Sequence, residues 1–168
     1  VCSSDLENPF PFDGLTTTKQ RIEKYNIDTS KITFLDFLPR KEYVNALKNG
    51  DVFISCARSE GWNLPLIEAM ACGTPSIYSN YGGQLQFAQD KGIPVKISHM
   101  RNANITEKEQ PGEYCEPDWE DLKVQMRNAY DNFKKHKKKA LEDSERSEEH
   151  TSELQSRQYL VCRLLLEK

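Results

Sequence analysis

The stretch from Val52 to Tyr78, VFISCARSEGWNLPLIEAMACGTPSIY, decides the fold. It opens on Val52–Ser55, a short apolar run with the length and composition of a strand buried on both faces. After a loop, Pro65 to Cys72 reads as a helix. Pro65 suits the first turn, where its missing N–H costs nothing, and Gly73 stands ready to end the last one. Pro75 to Tyr78 is the next strand.

The same alternation continues outward. Upstream, Leu15 to Tyr25 is expected to be a helix after Asp13-Gly14, with Thr16 or Thr17 as its cap. Ile32 to Leu38 (ITFLDFL) reads as a strand, and Lys41 to Lys48 as a helix closed by Asn49-Gly50. Downstream, Gly83 to Gln89 is a short helix and Ile93 to Ile97 a strand. Ser98 to Gly112 reads as a polar surface loop. Pro117-Asp118 then starts a helix running to about Lys139, with Trp119, Leu122, Met126 and Tyr130 as its expected buried stripe. Short apolar strands separated by helices predict an α/β fold, a Rossmann-like parallel sheet with helices on both faces. In such sheets ligands bind outside the carboxyl ends of the strands. That rule points to the loop after Val52–Ser55, which carries Glu60.

The two ends of the chain read differently. Back-translated, Arg146 to Ser156 (RSEEHTSELQS) fits a common short-read sequencing adapter, and Tyr159 to Lys168 fits its far end in the same frame. VCSSDL at the start fits the complementary adapter. Residues 1–6 and 146–168 are therefore expected to be adapter-encoded and non-native, leaving 7–145 as one Rossmann-like domain. A short amphipathic helix from Gln158 to Glu167 is the other reading of the tail.

The chain carries 23 Lys and Arg against 26 Asp and Glu, a net charge of −3, which gives no footprint for a nucleic-acid partner. Of five cysteines, Cys2 and Cys162 fall in the adapter segments. Cys56, Cys72 and Cys115 remain, with no CxxC or Cys/His spacing for zinc, and they suit a reducing cytoplasm. No apolar run reaches the roughly 20 residues of a membrane span. The run Lys134 to Lys139 (KKHKKK) reads first as a solvated helix face; weak peripheral contact with an anionic membrane is the alternative.

The chemistry lies between Glu60 and Glu68. A bare pair of glutamates at this spacing is usually two solvated side chains, one of them favouring a helix N-terminus. Here a strand precedes them, Gly61 allows backbone to approach a ligand, and Pro65 starts a helix. N–H groups around Asn63 to Leu66 would face the crevice and suit a phosphate. Glu68, one turn into the helix, could accept hydrogen bonds from a ribose diol, with Glu60 nearer a sugar attached to that phosphate. Arg58 is a further donor-binding candidate through a phosphate contact, with an exposed structural arginine as the other reading. Tyr78 and Tyr81 read as packing or rim residues, and His99 and His136 carry no catalytic signal.

The segment from Ser59 to Gly83, SEGWNLPLIEAMACGTPSIYSNYGG, resembles the E-x7-E segment of retaining glycosyltransferases of the GT-B fold, particularly glycosyltransferase family 4. The similarity runs from about Thr33 to Gln89 and more loosely to the last helix. It implies the C-terminal, donor-binding half of that fold, in a hexosyltransferase-type parent enzyme moving a sugar from a nucleotide diphosphate sugar to an acceptor hydroxyl. The first glutamate of the motif lies near the transferred sugar, which maps to Glu60 as the catalytic candidate. The second binds the ribose hydroxyls, which maps to Glu68. Backbone N–H groups after the first glutamate contact sugar or diphosphate, which implicates Gly61, Trp62 and Asn63, with Leu64 beside the nucleoside. The resemblance implies no cofactor and no bound metal.

Two positions depart from the family pattern. Asn63 stands where glycine is usual, predicting a stiffer loop or an added side-chain contact to donor or acceptor, and Gln86 stands where an acidic residue is common. The family's diphosphate-binding Arg and Lys lie on a strand and turn expected before Glu7, and its acceptor-binding half, for a glycan or lipid-linked sugar, lies further upstream. The 168-residue chain alone is therefore expected to be inactive. The competing reading is a non-catalytic nucleotide-sugar binding module. Nucleotide-sugar epimerases and phosphorylase-like enzymes fit the E-x7-E spacing with Gly-Thr-Pro behind it less well.

Overall fold

A computed structural model describes residues 17–35, 37–103 and 112–151. Residues 1–6, the tail beyond Thr151, and Leu15 and Thr16 of the expected first helix lie outside that set. The chain divides into two compact units, Val1–Tyr43 and Val44–Lys168.

In the first unit, α1 (Thr18–Lys24) begins where a capping box predicts. Gln20 N–H donates to Thr17 Oγ1 at 3.2 Å, and Thr17 N–H donates to Gln20 Oε1 at 3.1 Å. The strand expected over Ile32–Leu38 does not form: its described residues take no regular structure, and Ile32, Phe34 and Phe37 are exposed. An extended run without a neighbouring strand has no ladder to join, and apolar composition does not supply one. Helix α2 (Arg40–Asn49) begins in this unit and ends in the second, where Val44 and Leu47 are buried.

The second unit follows the predicted alternation. Strands β1 (Phe53–Ser55), β2 (Ser76–Ser79) and β3 (Ile93–Val95) pair in parallel in the order β1-β2-β3. Between them lie α3 (Leu64–Ala71) and α4 (Leu85–Ala88). Gly73, at φ 67°, ends α3: its N–H donates to Met70 O at 3.0 Å and that of Thr74 to Ala69 O at 3.1 Å. Those two bonds satisfy carbonyls that the helix itself leaves open.

Side chains alternate along β2, so Ile77 and Tyr78 face opposite ways. Tyr78 packs with Leu66 of α3 and Ala88 of α4. Ile77 packs with Ile93, Val95 and Ala129, the last on α5 (Trp119–Asp131). Helices therefore cover both faces of the parallel sheet, the arrangement expected of a Rossmann-like half.

Two expectations fail downstream. Ser98–Gly112 is not a loop throughout: β4 (Ile97–Ala103) pairs antiparallel with β5 (Gly112–Pro117), while 104–111 lie outside the described residues. ISHMRNA and GEYCEP carry polar residues at both phases of a two-residue period, so the pattern gave no apolar face to detect. The last helix is two helices, α5 and α6 (Phe133–Thr151), broken at Asn132. Of its expected stripe only Leu122 reaches the core, beside Ala129. Trp119, Met126 and Tyr130 fall to one side of that line and are exposed, Tyr130 at 75%.

Helix α6 packs on α3, with Lys137 Nζ donating to Gly73 O at 2.9 Å, a cation at a helix C-terminus. Lys139 reaches the Lys91 carbonyl and Asp143, and Lys138 pairs with Glu142 one turn on. The basic run is thus partly spent on internal contacts. The helix continues through Arg146, and helix propensity acts on such residues whatever encoded them.

Candidate functional site

The loop from Cys56 to Asn63 leaves the carboxyl end of β1 and feeds α3. Glu60 and Gly61 are exposed on it, Trp62 is half-buried and Asn63 is buried. Leu64, at 58% exposure, and Pro65 project outward at the start of α3, and Glu68 is half-buried one turn further. The structure therefore gathers Glu60, Gly61, Trp62, Asn63, Leu64 and Glu68 on one loop-helix junction.

The main-chain donors are displaced from where the sequence placed them. Leu66 and Ile67 N–H both turn inward to Asn63 O, at 3.0 and 3.3 Å, and Pro65 has none. Among the described residues, the N–H groups of Gly61, Trp62, Asn63 and Leu64 have no protein acceptor. The open donors thus precede the helix rather than fill its first turn, and they sit where the helix dipole is positive.

A second loop, Asn80–Gln84, backs the first. Gly82 lies at φ 80°, and a Cβ there would stand 3.1 Å from Glu60 O. At Gly83 a Cβ would fall 1.9 Å from Gly61 O, an impossible overlap with main chain. The double glycine is thus required by contact with the very segment that carries Glu60. Trp62 stacks at a tilt on Phe87, ring centroids 5.7 Å apart, so α4 supports the loop from below.

Asn63, where glycine was expected, has a left-handed backbone (φ 53°), which asparagine tolerates better than most residues. Its side chain turns back toward the sheet. Nδ2 donates to Ser55 Oγ at 2.9 Å and to Gln84 Oε1 at 2.6 Å. Gln84 in turn donates through Nε2 to Ser79 O. These contacts tie the turn at Asn63 to the end of β1 and to the loop that carries Gln84. Gln84, Ser55 and Ser79 were not singled out from sequence, because the amide of Asn63 that joins them lies eight residues from Ser55 and 21 from Gln84. Gln86 is exposed.

Arg58, two residues before Glu60 on the same loop, engages β5. Its Nε and Nη2 donate to the two carboxylate oxygens of Glu116, each at 3.0 Å, and its guanidinium lies 5.9 Å from the Trp119 ring centre. The Trp119 indole donates to Glu116 Oε1 at 3.0 Å, and Arg101 Nε stands 3.6 Å from Oε2. The Arg58 guanidinium, then the indole hydrogen bond, hold the Glu116 carboxyl below the ordinary carboxylate range against the opposing effect of burial. The same pairing raises Arg58. With Cys115 N–H donating to Arg58 O at 2.9 Å, β5 fastens the start of the loop by both side chain and main chain.

Among the described residues no three His, Cys, Asp or Glu side chains converge as metal ligands would, and no helix is long and apolar enough to cross a membrane. His136 is held below its ordinary value by burial and by Lys135 and Lys139, away from the junction. Tyr78 is a core residue and Tyr81 half-buried.

No curated protein matches the sequence. The family model for glycosyl transferases group 1 matches residues 13–149, most of the chain. The chain belongs to the glycosyl transferases group 1 family.

Proposed function

We propose that this chain is the donor-binding part of a retaining, family-4-like glycosyltransferase of the GT-B fold, transferring a sugar from a nucleotide diphosphate sugar to an acceptor hydroxyl. One observation carries the reading. The loop at the carboxyl end of β1 presents four main-chain N–H groups, Gly61 to Leu64, without protein acceptors, between Glu60 and Glu68. Such donors stabilise the negative charge that develops on a departing diphosphate, an electrostatic contribution needing no side-chain rearrangement. Glu68, on α3, receives the ribose hydroxyls, and Leu64 lies against the nucleoside. Glu60, exposed at the loop's apex, lies beside the transferred sugar, where a carboxylate favours oxocarbenium-like charge.

Arg58 enters this scheme through the loop it anchors, since its fork already holds Glu116. We expect no transferase activity from the chain alone. The acceptor, a glycan or lipid-linked sugar, is expected to bind another part of the parent protein. The thiols of Cys56 and Cys115 fit a cytoplasmic enzyme, with Lys134 and Lys135 available for weak contact with an anionic membrane.

Steady-state kinetics of the parent enzyme test the assignment. Glu68→Ala is expected to raise the KM for the donor about tenfold with little change in kcat, and Glu60→Ala to lower kcat by at least about a hundredfold. Unchanged kinetics in both variants sinks the site.

A further inference from the structure

Asn63 occupies a left-handed backbone position (φ 53°, ψ 62°) that glycine fills without cost. An asparagine before a helix ordinarily accepts from an N–H two or three residues on, but no such cap forms here. Its amide points backward instead, and is 4% exposed. Both Nδ2 hydrogens are used, one on Ser55 Oγ and one on Gln84 Oε1. Gln84, 1% exposed, passes its own Nε2 to Ser79 O.

Three segments therefore meet on two amides: the end of β1, the loop into α3, and the loop from β2 into α4. The contact lies beside the point where Gly83 presses on Gly61 O. Buried amides paired in this way specify one arrangement of the chain, because any other leaves a polar group unsatisfied in a low dielectric. A glycine at position 63 would accept the left-handed turn but would also sample others.

We propose that Asn63 and Gln84 are positioning residues, whose interlocked amides fix the turn that aims the Gly61–Leu64 N–H groups at the donor. The inference rests on the donor reading above. It adds a role for the Asn63 side chain, distinct from its main-chain N–H, and brings in Gln84. Neither amide touches the donor; both act through the loop.

Amide hydrogen exchange and nucleotide titration on the full chain test it together. Leu66 and Ile67 N–H both end on Asn63 O, so their protection reports the turn. Gln84→Leu is expected to lower that protection about tenfold while the sheet amides around Ile77 keep theirs, and to weaken UDP or GDP binding about tenfold. Asn63→Gly keeps a backbone suited to the turn, so it carries the test if Gln84→Leu does not fold, with the same two losses expected. In the double variant the two effects are expected to be less than additive, because they break one network. Protection lost equally across the sheet marks general destabilisation and overturns the proposal, as does unchanged protection at Leu66 and Ile67. Wild-type nucleotide affinity in both variants overturns the clamp and leaves the donor reading standing. Failure of the wild-type chain to bind either nucleotide overturns the donor reading itself, and the clamp's purpose with it.

Discussion

Glu60 and Glu116 are two carboxylates on either side of the same loop, and they are used in opposite ways. Glu116 is 7% exposed and engages Arg58, Arg101 and the Trp119 indole at once. Glu60 is exposed at the loop's apex. A buried carboxylate with every oxygen occupied is committed to the fold, since its desolvation must be offset by partners that cannot leave. An exposed one beside open N–H donors is free to meet a ligand. The network on Glu116 thus holds the loop's base, while the carboxylate proposed to meet the donor stands exposed on the loop itself.

Removing Glu116 should therefore give the largest loss of stability. Glu116→Ala leaves Arg58 and Arg101 facing each other and the indole N–H without its acceptor. The Arg58 side chain is 40% exposed and regains water, so the cost sits near the low end for a broken buried pair, about 3 kcal/mol by denaturant unfolding. The sign of the pH dependence follows from the lowered Glu116 value. The pair contributes in full above the ordinary carboxylate range and is lost as pH falls through the lowered value. Wild-type stability should fall on acidification more steeply than that of Glu116→Gln, and parallel acid limbs in the two proteins would break the contrast.

Gly83→Ala should rank next. Its Cβ meets the Gly61 carbonyl oxygen, which is main chain and cannot swing aside. About 2 kcal/mol of destabilisation is expected, in the range of overpacked interiors, with the loss of protection concentrated in the Glu60–Asn63 loop. Exchange rates unchanged in that loop would show that the two loops are not coupled. Glu60→Gln should have the smallest effect on stability, within about 0.5 kcal/mol, as an exposed side chain away from the core. A loss comparable to that of Glu116→Ala would erase the distinction between the two glutamates.

What the sequence disclosed follows the reach of the interactions. β1, α3, β2 and β3 were legible because each is a short apolar or amphipathic run bounded by Gly or Pro. The β4–β5 ribbon was hidden, since its polar residues face both ways and its pairing depends on a distant partner. Ile32–Leu38 misled in the opposite sense, with strand-like composition and no partner strand among the described residues of its unit. At the site, Glu60, Pro65 and Glu68 announce themselves within one segment. Gln84 and Glu116 do not, because their partners are 21 and 58 residues away. Arg58 illustrates the limit well: its place beside the motif left a phosphate contact and a structural role both open, and its Glu116 partner, 58 residues away, was out of sight.

The central claim is that the Gly61–Leu64 loop and Glu68 bind the nucleotide of a sugar donor. Titrating UDP and GDP into isotope-labelled protein, followed by the main-chain amide resonances, tests it most directly. Saturable shifts are expected at Gly61, Trp62, Asn63 and Leu64 with one of the two nucleotides, and an affinity about tenfold weaker in Glu68→Ala. Shifts confined to other surfaces, or binding indifferent to Glu68→Ala, would contradict it.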